Sequence, residues 1–166
     1  MNRSGFTLIE IAVVLAIIAM ALMLVIPRLP STEHENLKSS ARTLANTLRY
    51  MQERAATQGV HYYLQIIPGT DQVTVLQNAT DGSKKDATDP LLQQKPVKEG
   101  IVVADVIMPR LGKMTDGEVS LDVGNGGLRD FTTIHLRSSD GKFWTVMAFP
   151  SSGKVKIFEG YQEYEL

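Results

Sequence analysis

The sequence contains no cysteine among its 166 residues. Disulfide bonds and thiolate chemistry are therefore excluded, and cysteine usage does not identify the redox compartment. The chain also lacks an excess of charge of either sign, since its formal net charge at pH 7 is −1. No global electrostatic field would draw such a chain to nucleic acid or to anionic lipid, so a nucleic-acid partner is not expected.

Polar residues are scarce near the N-terminus. From Phe6 to Ile26 they comprise Thr7 and Glu10 alone. A helix of this length spans about 30 Å, the hydrocarbon thickness of a bilayer, so we predict a transmembrane helix over residues 6–30. A buried core helix is disfavoured because the run is apolar on every face. A simple membrane anchor and a secretory signal peptide cleaved after Ala19-Met20-Ala21 remain alternatives.

Glu10 is the residue that a simple anchor does not explain. A charged side chain near the centre of a bilayer costs about 2.5–3.5 kcal/mol, so a carboxylate in such a segment indicates a function and a partner. The length and hydropathy of the segment do not identify that partner.

The segment Gly5-Phe6-Thr7-Leu8-Ile9-Glu10 resembles the processing site of the type IV pilins and the type II secretion pseudopilins. The resemblance implies that a prepilin peptidase cuts after Gly5, removes residues 1–5 as a leader and methylates the new amine of Phe6. It also implies a partner for Glu10, namely the Phe6 amine of the same subunit or of a neighbour in a filament.

Residues 31–59 change from apolar on all faces to apolar on one. Helical periodicity places an apolar stripe at Leu37, Ala41, Leu44, Ala45, Leu48, Met51 and Ala55. We predict an amphipathic helix that ends at Gly59, packs on its own sheet and exposes Lys38, Arg42, Arg49, Gln52 and Glu53.

Residues 60–166 are predicted to form a β-rich head. Residues 60–67 and 73–77 flank a turn-forming segment and predict a hairpin, and residues 78–100 predict a long mobile loop. Further strands are expected at residues 101–107, 118–123, 131–137, 143–149 and 155–159, of which the last three form an antiparallel meander.

Two stretches are similar to minor pseudopilins of the GspH/FimT type. These are Ser40 to Tyr50 with Glu53-Arg54-Ala55-Ala56, and the closing segment from Trp144 through Pro150 to Ile157. The resemblance implies an α+β, type IV pilin-like fold, in which a long N-terminal helix is half membrane-embedded and half packed on an antiparallel head. The acidic end with Glu159, Glu163 and Glu165 departs from the basic tails of DNA-binding minor pilins, which favours secretion.

Other constellations are better explained by structure than by chemistry. Ser151-x-x-Lys154 lies in a Pro-Ser-Ser-Gly turn, and Gly124-Asn125-Gly126-Gly127 lacks the helix that a phosphate loop requires. Asp116, Glu118 and Asp122 could offer oxygens to calcium, but strand alternation predicts a solvated face. His34, His61 and His135 have no metal-ligand spacing. We predict no active site, no metal site and no cofactor.

The sequence therefore predicts a minor pseudopilin of a type II secretion system, a non-catalytic subunit that joins other pseudopilins in a filament. It would be processed by prepilin peptidase and cross the bacterial inner membrane once, with its C-terminal head in the periplasm. One alternative is a minor pilin for adhesion, motility or DNA uptake. An alternative of another class is a periplasmic enzyme or binding protein with a signal peptide or simple anchor.

Overall fold

A computed structural model describes residues 7–25, 32–79, 81–150 and 152–163. The chain divides into two compact units, residues 1–31 and 32–166. The first contains helix α1, Leu8–Val25, whose large apolar side chains are exposed. Within the described ranges no helix is both long and apolar enough to cross a membrane. The span at residues 6–30 stays a prediction, and residues 6 and 26–30 lie outside the described ranges.

The second unit is one helix followed by strands. Helix α2 covers Thr32–Gln58. The described strands are β1 Tyr62–Ile66, β2 Val73–Asn78, β3 Lys84–Asp86, β4 Ile101–Met108, β5 Gly112–Met114, β6 Val119–Gly124, β7 Gly127–Leu128, β8 Thr132–Ser138, β9 Phe143–Ala148 and β10 Val155–Glu159.

The strands form two antiparallel sheets. The first sheet has the order β3-β2-β1-β6-β7 and the second has the order β10-β9-β8-β4-β5. The predicted hairpin is the β1–β2 pair, and the predicted meander is β8-β9-β10. The antiparallel α+β fold is therefore confirmed.

Helix α2 packs against strands of both sheets. All the apolar positions predicted for its stripe are fully buried: Leu37, Ala41, Leu44, Ala45, Leu48, Met51 and Ala55. Gly59 ends the helix as predicted, because its positive φ of 68° is a left-handed conformation in which its N–H bonds to the Ala55 carbonyl oxygen.

The exposed face of α2 was predicted wrongly at Gln52, which is 4% exposed. The prediction assumed packing on one sheet. Because α2 contacts two sheets, its buried face is wider than the apolar stripe and also includes Ser40 and Thr47.

The prediction of a long mobile loop at residues 78–100 was wrong in part, because the segment includes a strand and buried residues. Strand β3 lies within it and pairs with β2, and Ala87, Leu92 and Val97 are buried in the core. These apolar residues are too few and too irregularly spaced to give a periodic signal. The short strands β5 and β7 were missed for a similar reason.

Candidate assembly segment and charged clusters of the head

The segment predicted to direct processing and assembly is only partly described. Gly5 and Phe6 lie outside the described residues, so their roles stay predictions. Glu10 lies in the first turn of α1, where its side chain is exposed.

Glu10 forms a capping box with Thr7. The Glu10 backbone N–H donates to Thr7 Oγ1 at 3.3 Å, and the Thr7 backbone N–H donates to Glu10 Oε2 at 3.4 Å. Thr7 precedes the helix and Glu10 is its third residue, which is the arrangement of the Thr-x-x-Glu capping motif. This local motif is present in the sequence and was not predicted there. The carboxylate therefore has a local role in starting α1.

His61 and His135 lie in separate parts of the head. Among the described residues no group of three or more histidine, aspartate or glutamate side chains could hold a metal ion. Instead, His61 and His135 each pair with one aspartate on a neighbouring strand.

The first pair, His61 with Asp122, lies on the exposed face of the first sheet. Asp122 was predicted to be a solvated carboxylate, but His61 Nε2 contacts it and Arg129 Nη1 lies 3.6 Å from it. The His61 ring stacks on Tyr63 with 5.2 Å between centroids. Gly124 leaves room for this ring, because a Cβ there would lie 3.1 Å from His61 Cε1.

The second pair, His135 with Asp105, is buried on the outer face of the second sheet. His135 is 0% exposed, and its Nδ1 lies 2.6 Å from Asp105 Oδ1.

A β-bulge brings Asp105 to this position. The pairing of β4 with β8 shifts between Val103 and Asp105, so Val103 opposes Leu136 and Asp105 opposes His135. Strict alternation from Val103 would have turned Asp105 into the core, whereas the extra residue, Ala104, turns it to the outer face. In the sequence, simple alternation assigns the carboxylate of Asp105 to the core. That conflict is the signal that could have revealed the pair of Asp105 with His135.

The C-terminal residues cover this pair. Tyr161 stacks on the His135 ring with 3.7 Å between centroids, and its hydroxyl donates to Asp105 Oδ2 at 3.3 Å. Lys113 Nζ donates to the Tyr161 hydroxyl at 2.8 Å. Burial of Asp105 would raise its pKa, but the hydrogen bond from His135 and the positive charges of His135 and Lys113 hold that pKa below its ordinary value.

A third cluster attaches residues 78–100 to α2. Asp89 Oδ2 accepts hydrogen bonds from the Tyr50 hydroxyl at 2.7 Å and from Arg54 Nη2 at 3.0 Å. The hydrogen bond from Tyr50 is the main cause that lowers the pKa of Asp89. The Lys98 backbone N–H donates to Ser40 Oγ at 3.0 Å. This segment is thus fixed to the helix at two points.

Two constellations, at residues 124–127 and at Ser151 with Lys154, were interpreted from the sequence as turns. Gly124 pairs with Gly127 across the tight turn that joins β6 to β7. Ser151 lies outside the described residues, so its predicted place in a turn is untested.

Comparison with known proteins finds a motif at the N-terminus. Residues 1–26 match the family model described as the prokaryotic N-terminal methylation motif. The match includes Gly5, Phe6 and Glu10 but assigns no role to any single residue.

The chain has relatives in sequence and in structure. The type II secretion system protein H of Vibrio cholerae serotype O1 is 32% identical over 98 residues, which cover 58% of this chain and 50% of that protein. The chain thus matches about half the length of this curated relative. One structure of the minor pseudopilin EpsH from the type II secretion system of Vibrio cholerae has a TM-score of 0.62 at 20% identity, over 78% of this chain and 98% of that one. A second structure of EpsH has a TM-score of 0.57 at 22% identity, over 75% of this chain and 97% of that one.

The chain thus combines a prokaryotic N-terminal methylation motif with a type IV pilin-like fold similar to that of EpsH. In sequence it is also similar to the type II secretion system protein H of Vibrio cholerae. The resemblance found in the sequence is therefore confirmed.

Proposed function

We propose that this protein is a minor pseudopilin of a type II secretion system, a structural subunit that acts by assembling with other pseudopilins. The observation that carries the proposal is the combination, in one chain, of a methylation motif at residues 1–26 with a head of the EpsH fold. Either feature alone would leave the class of protein open.

The first step in this proposal is maturation. Prepilin peptidase cleaves after Gly5 and methylates the amine of Phe6, the new N-terminus. Residues 6–30 then anchor the subunit in the bacterial inner membrane by a single pass, and the head lies in the periplasm. The apolar length of residues 6–26 supports the anchor, since about 20 such residues match a bilayer.

The second step is pairing at Glu10. Its carboxylate neutralises the Phe6 amine of a neighbouring subunit, in surroundings where Coulomb attraction and desolvation cost are both large. The capping box does not compete for the Phe6 amine, because the donor in the box is the backbone N–H of Thr7. Thr7 remains in the chain after cleavage, so the capping box and the contact with a neighbouring amine can form together.

The third step is association of the heads. The large apolar side chains exposed in the described part of the head are few, namely Leu91, Leu111 and Phe158. Scattered exposure of this kind does not drive strong association by itself. The apolar N-terminal segments therefore supply most of the attraction between subunits, and the heads select which subunits are neighbours.

Mass spectrometry of the mature N-terminus tests the proposal. In a host that contains prepilin peptidase, the mature protein should begin at Phe6 and carry one methyl group. Gly5→Val should accumulate as a full-length precursor, because a side chain there obstructs the site of cleavage. Ser4→Val is the matched control and should be processed normally. A mature protein that begins at Leu22 would instead indicate a signal peptide and refute the proposal.

A further inference from the structure

His135 occupies the centre of the outer face of the second sheet. Its cross-strand neighbours are Asp105 on β4 and Thr145 on β9. This row is covered by the chain that follows β10. We call residues Gly160–Glu163, with which the described chain ends, the C-terminal latch.

Both ring nitrogens of His135 face hydrogen-bond acceptors. Nδ1 lies 2.6 Å from the Asp105 carboxylate, and Nε2 lies 3.0 Å from the backbone carbonyl oxygen of Gln162 in the latch. Neutral imidazole carries a single N–H, so it can satisfy one of these acceptors but not both. The imidazolium ion donates to both, so both short contacts can be hydrogen bonds from the ring only when His135 is protonated.

Several titratable side chains surround His135. The titratable groups that face it are Asp105 on β4, Lys113 on β5 and Tyr161 in the latch, with Glu163 near Lys113. Asp105 touches the imidazole directly, whereas Lys113 Nζ lies 3.7 Å from the far carboxylate oxygen of Asp105. The nearest charge to His135 is thus negative.

Besides the contacts of Tyr161 with Asp105 and Lys113, the latch is held by three hydrogen bonds that do not change over the same range of pH. The Gly160 N–H donates to the Phe143 carbonyl oxygen at 2.9 Å. Thr145 Oγ1 donates to the Gly160 carbonyl oxygen at 2.7 Å and accepts from the Gln162 N–H at 3.0 Å. These groups do not titrate near neutral pH. The hydrogen bond from His135 to the Gln162 carbonyl oxygen is therefore the contact that gain or loss of a proton by His135 can form or break.

We infer that the C-terminal latch is a proton-dependent device: it is docked on the second sheet while His135 is protonated and loosens when His135 loses a proton. Loss of the proton leaves one of the two acceptors without its hydrogen bond from His135. The retained N–H stays with the carboxylate, because a charged acceptor forms the stronger hydrogen bond. The Gln162 carbonyl is then the unpaired group. Release of the latch hydrates that carbonyl and uncovers the His135 row.

Hydrogen–deuterium exchange of the full chain in detergent micelles tests this inference. Exchange of the peptide that contains Gln162, corrected for intrinsic rates, is compared at about pH 6 and about pH 9, which bracket an ordinary histidine titration. We expect its protection to fall about tenfold at the higher pH, the factor that loss of one hydrogen bond to a charged group gives. Protection of β8 and β9 should not change.

Two substitutions separate His135 from other causes. His135→Gln should abolish the pH dependence, since glutamine does not titrate in this range. His61→Gln is the matched control, because His61 also pairs with an aspartate but lies on the first sheet. It should leave the pH dependence of the latch unchanged.

Equal protection at both pH values would overturn the inference, as would a pH dependence that persists in His135→Gln. If that variant does not fold, NMR titration of the His135 ring in the unsubstituted chain replaces it. The midpoint of the ring titration must then coincide with the midpoint of latch release, and different midpoints would overturn the inference.

Discussion

Replacing Glu10 by glutamine and by alanine separates its two roles. Glutamine keeps a side-chain acceptor at the third position of α1, so the capping box with Thr7 persists while the charge is lost. Alanine loses both. If Glu10 acts through its charge on the Phe6 amine of a neighbour, the two variants should fail equally in assembly.

The expected loss is large. Removing one partner of a buried ion pair typically costs about 3–5 kcal/mol, because the other charge is left without compensation. At about 1.4 kcal/mol for each factor of ten, the association constant between subunits should fall by about two to four orders of magnitude. Neither change adds a charge to the apolar segment, so the amount of protein in the membrane should not fall.

Crosslinking between subunits in native membranes measures this loss. Both variants should reach the membrane at normal levels, keep the thermal stability of the head and fail to crosslink to partner subunits. The reasoning is refuted if Glu10→Gln crosslinks normally while Glu10→Ala does not, since capping would then be the sole role of the residue. Normal crosslinking by both variants would show that no neighbouring amine reaches Glu10.

Four further predictions concern the head. A fragment of residues 31–166 should be soluble and monomeric by light scattering, because most of the exposed large apolar side chains of the described chain lie in α1. Gln52→Met should raise the free energy of unfolding in urea by about 1–2 kcal/mol, because neither polar atom of this buried amide has a hydrogen-bond partner among the described residues. The control is Glu53→Met at the neighbouring exposed residue, which should change the free energy of unfolding by less than about 0.5 kcal/mol. Leu48→Ala should lower it by about 2–5 kcal/mol, because the side chain is fully buried, whereas Arg42→Ala should have little effect. In the folded protein the pKa values of Asp89 and Asp105 are lowered from 3.8, and that of Asp140 is lowered to about 2. These three carboxylates therefore stabilise the fold fully above their unfolded pKa, and this stabilisation should be lost as pH falls from about 4 towards 2. Acid unfolding measures the loss.

The sequence predicted most of the fold where one simple periodicity applied. The stripe from Leu37 to Ala55 repeats every three or four residues, and the long strands alternate, so each could be recognised from local pattern alone. Gln52 was misplaced because its burial depends on α2 contacting two sheets, which no local pattern records.

The charged clusters of the head were not predicted, for a related reason. His135 and Asp105 are 30 residues apart and meet because a bulge at Ala104 reverses the alternation of β4. Asp89 is 39 residues from Tyr50, in a segment without periodicity. The capping box of Thr7 and Glu10 was, by contrast, present as a local motif and could have been found.

Deletion of the gene in its native host, followed by quantitative proteomics of the culture medium and the periplasm, tests the central proposal most directly. If the protein is a pseudopilin for secretion, proteins normally found in the medium should accumulate in the periplasm, and the intact gene should restore their export where Glu10→Gln does not. Unchanged export together with loss of surface pili, motility or DNA uptake would contradict the proposal and assign the protein to a type IV pilus.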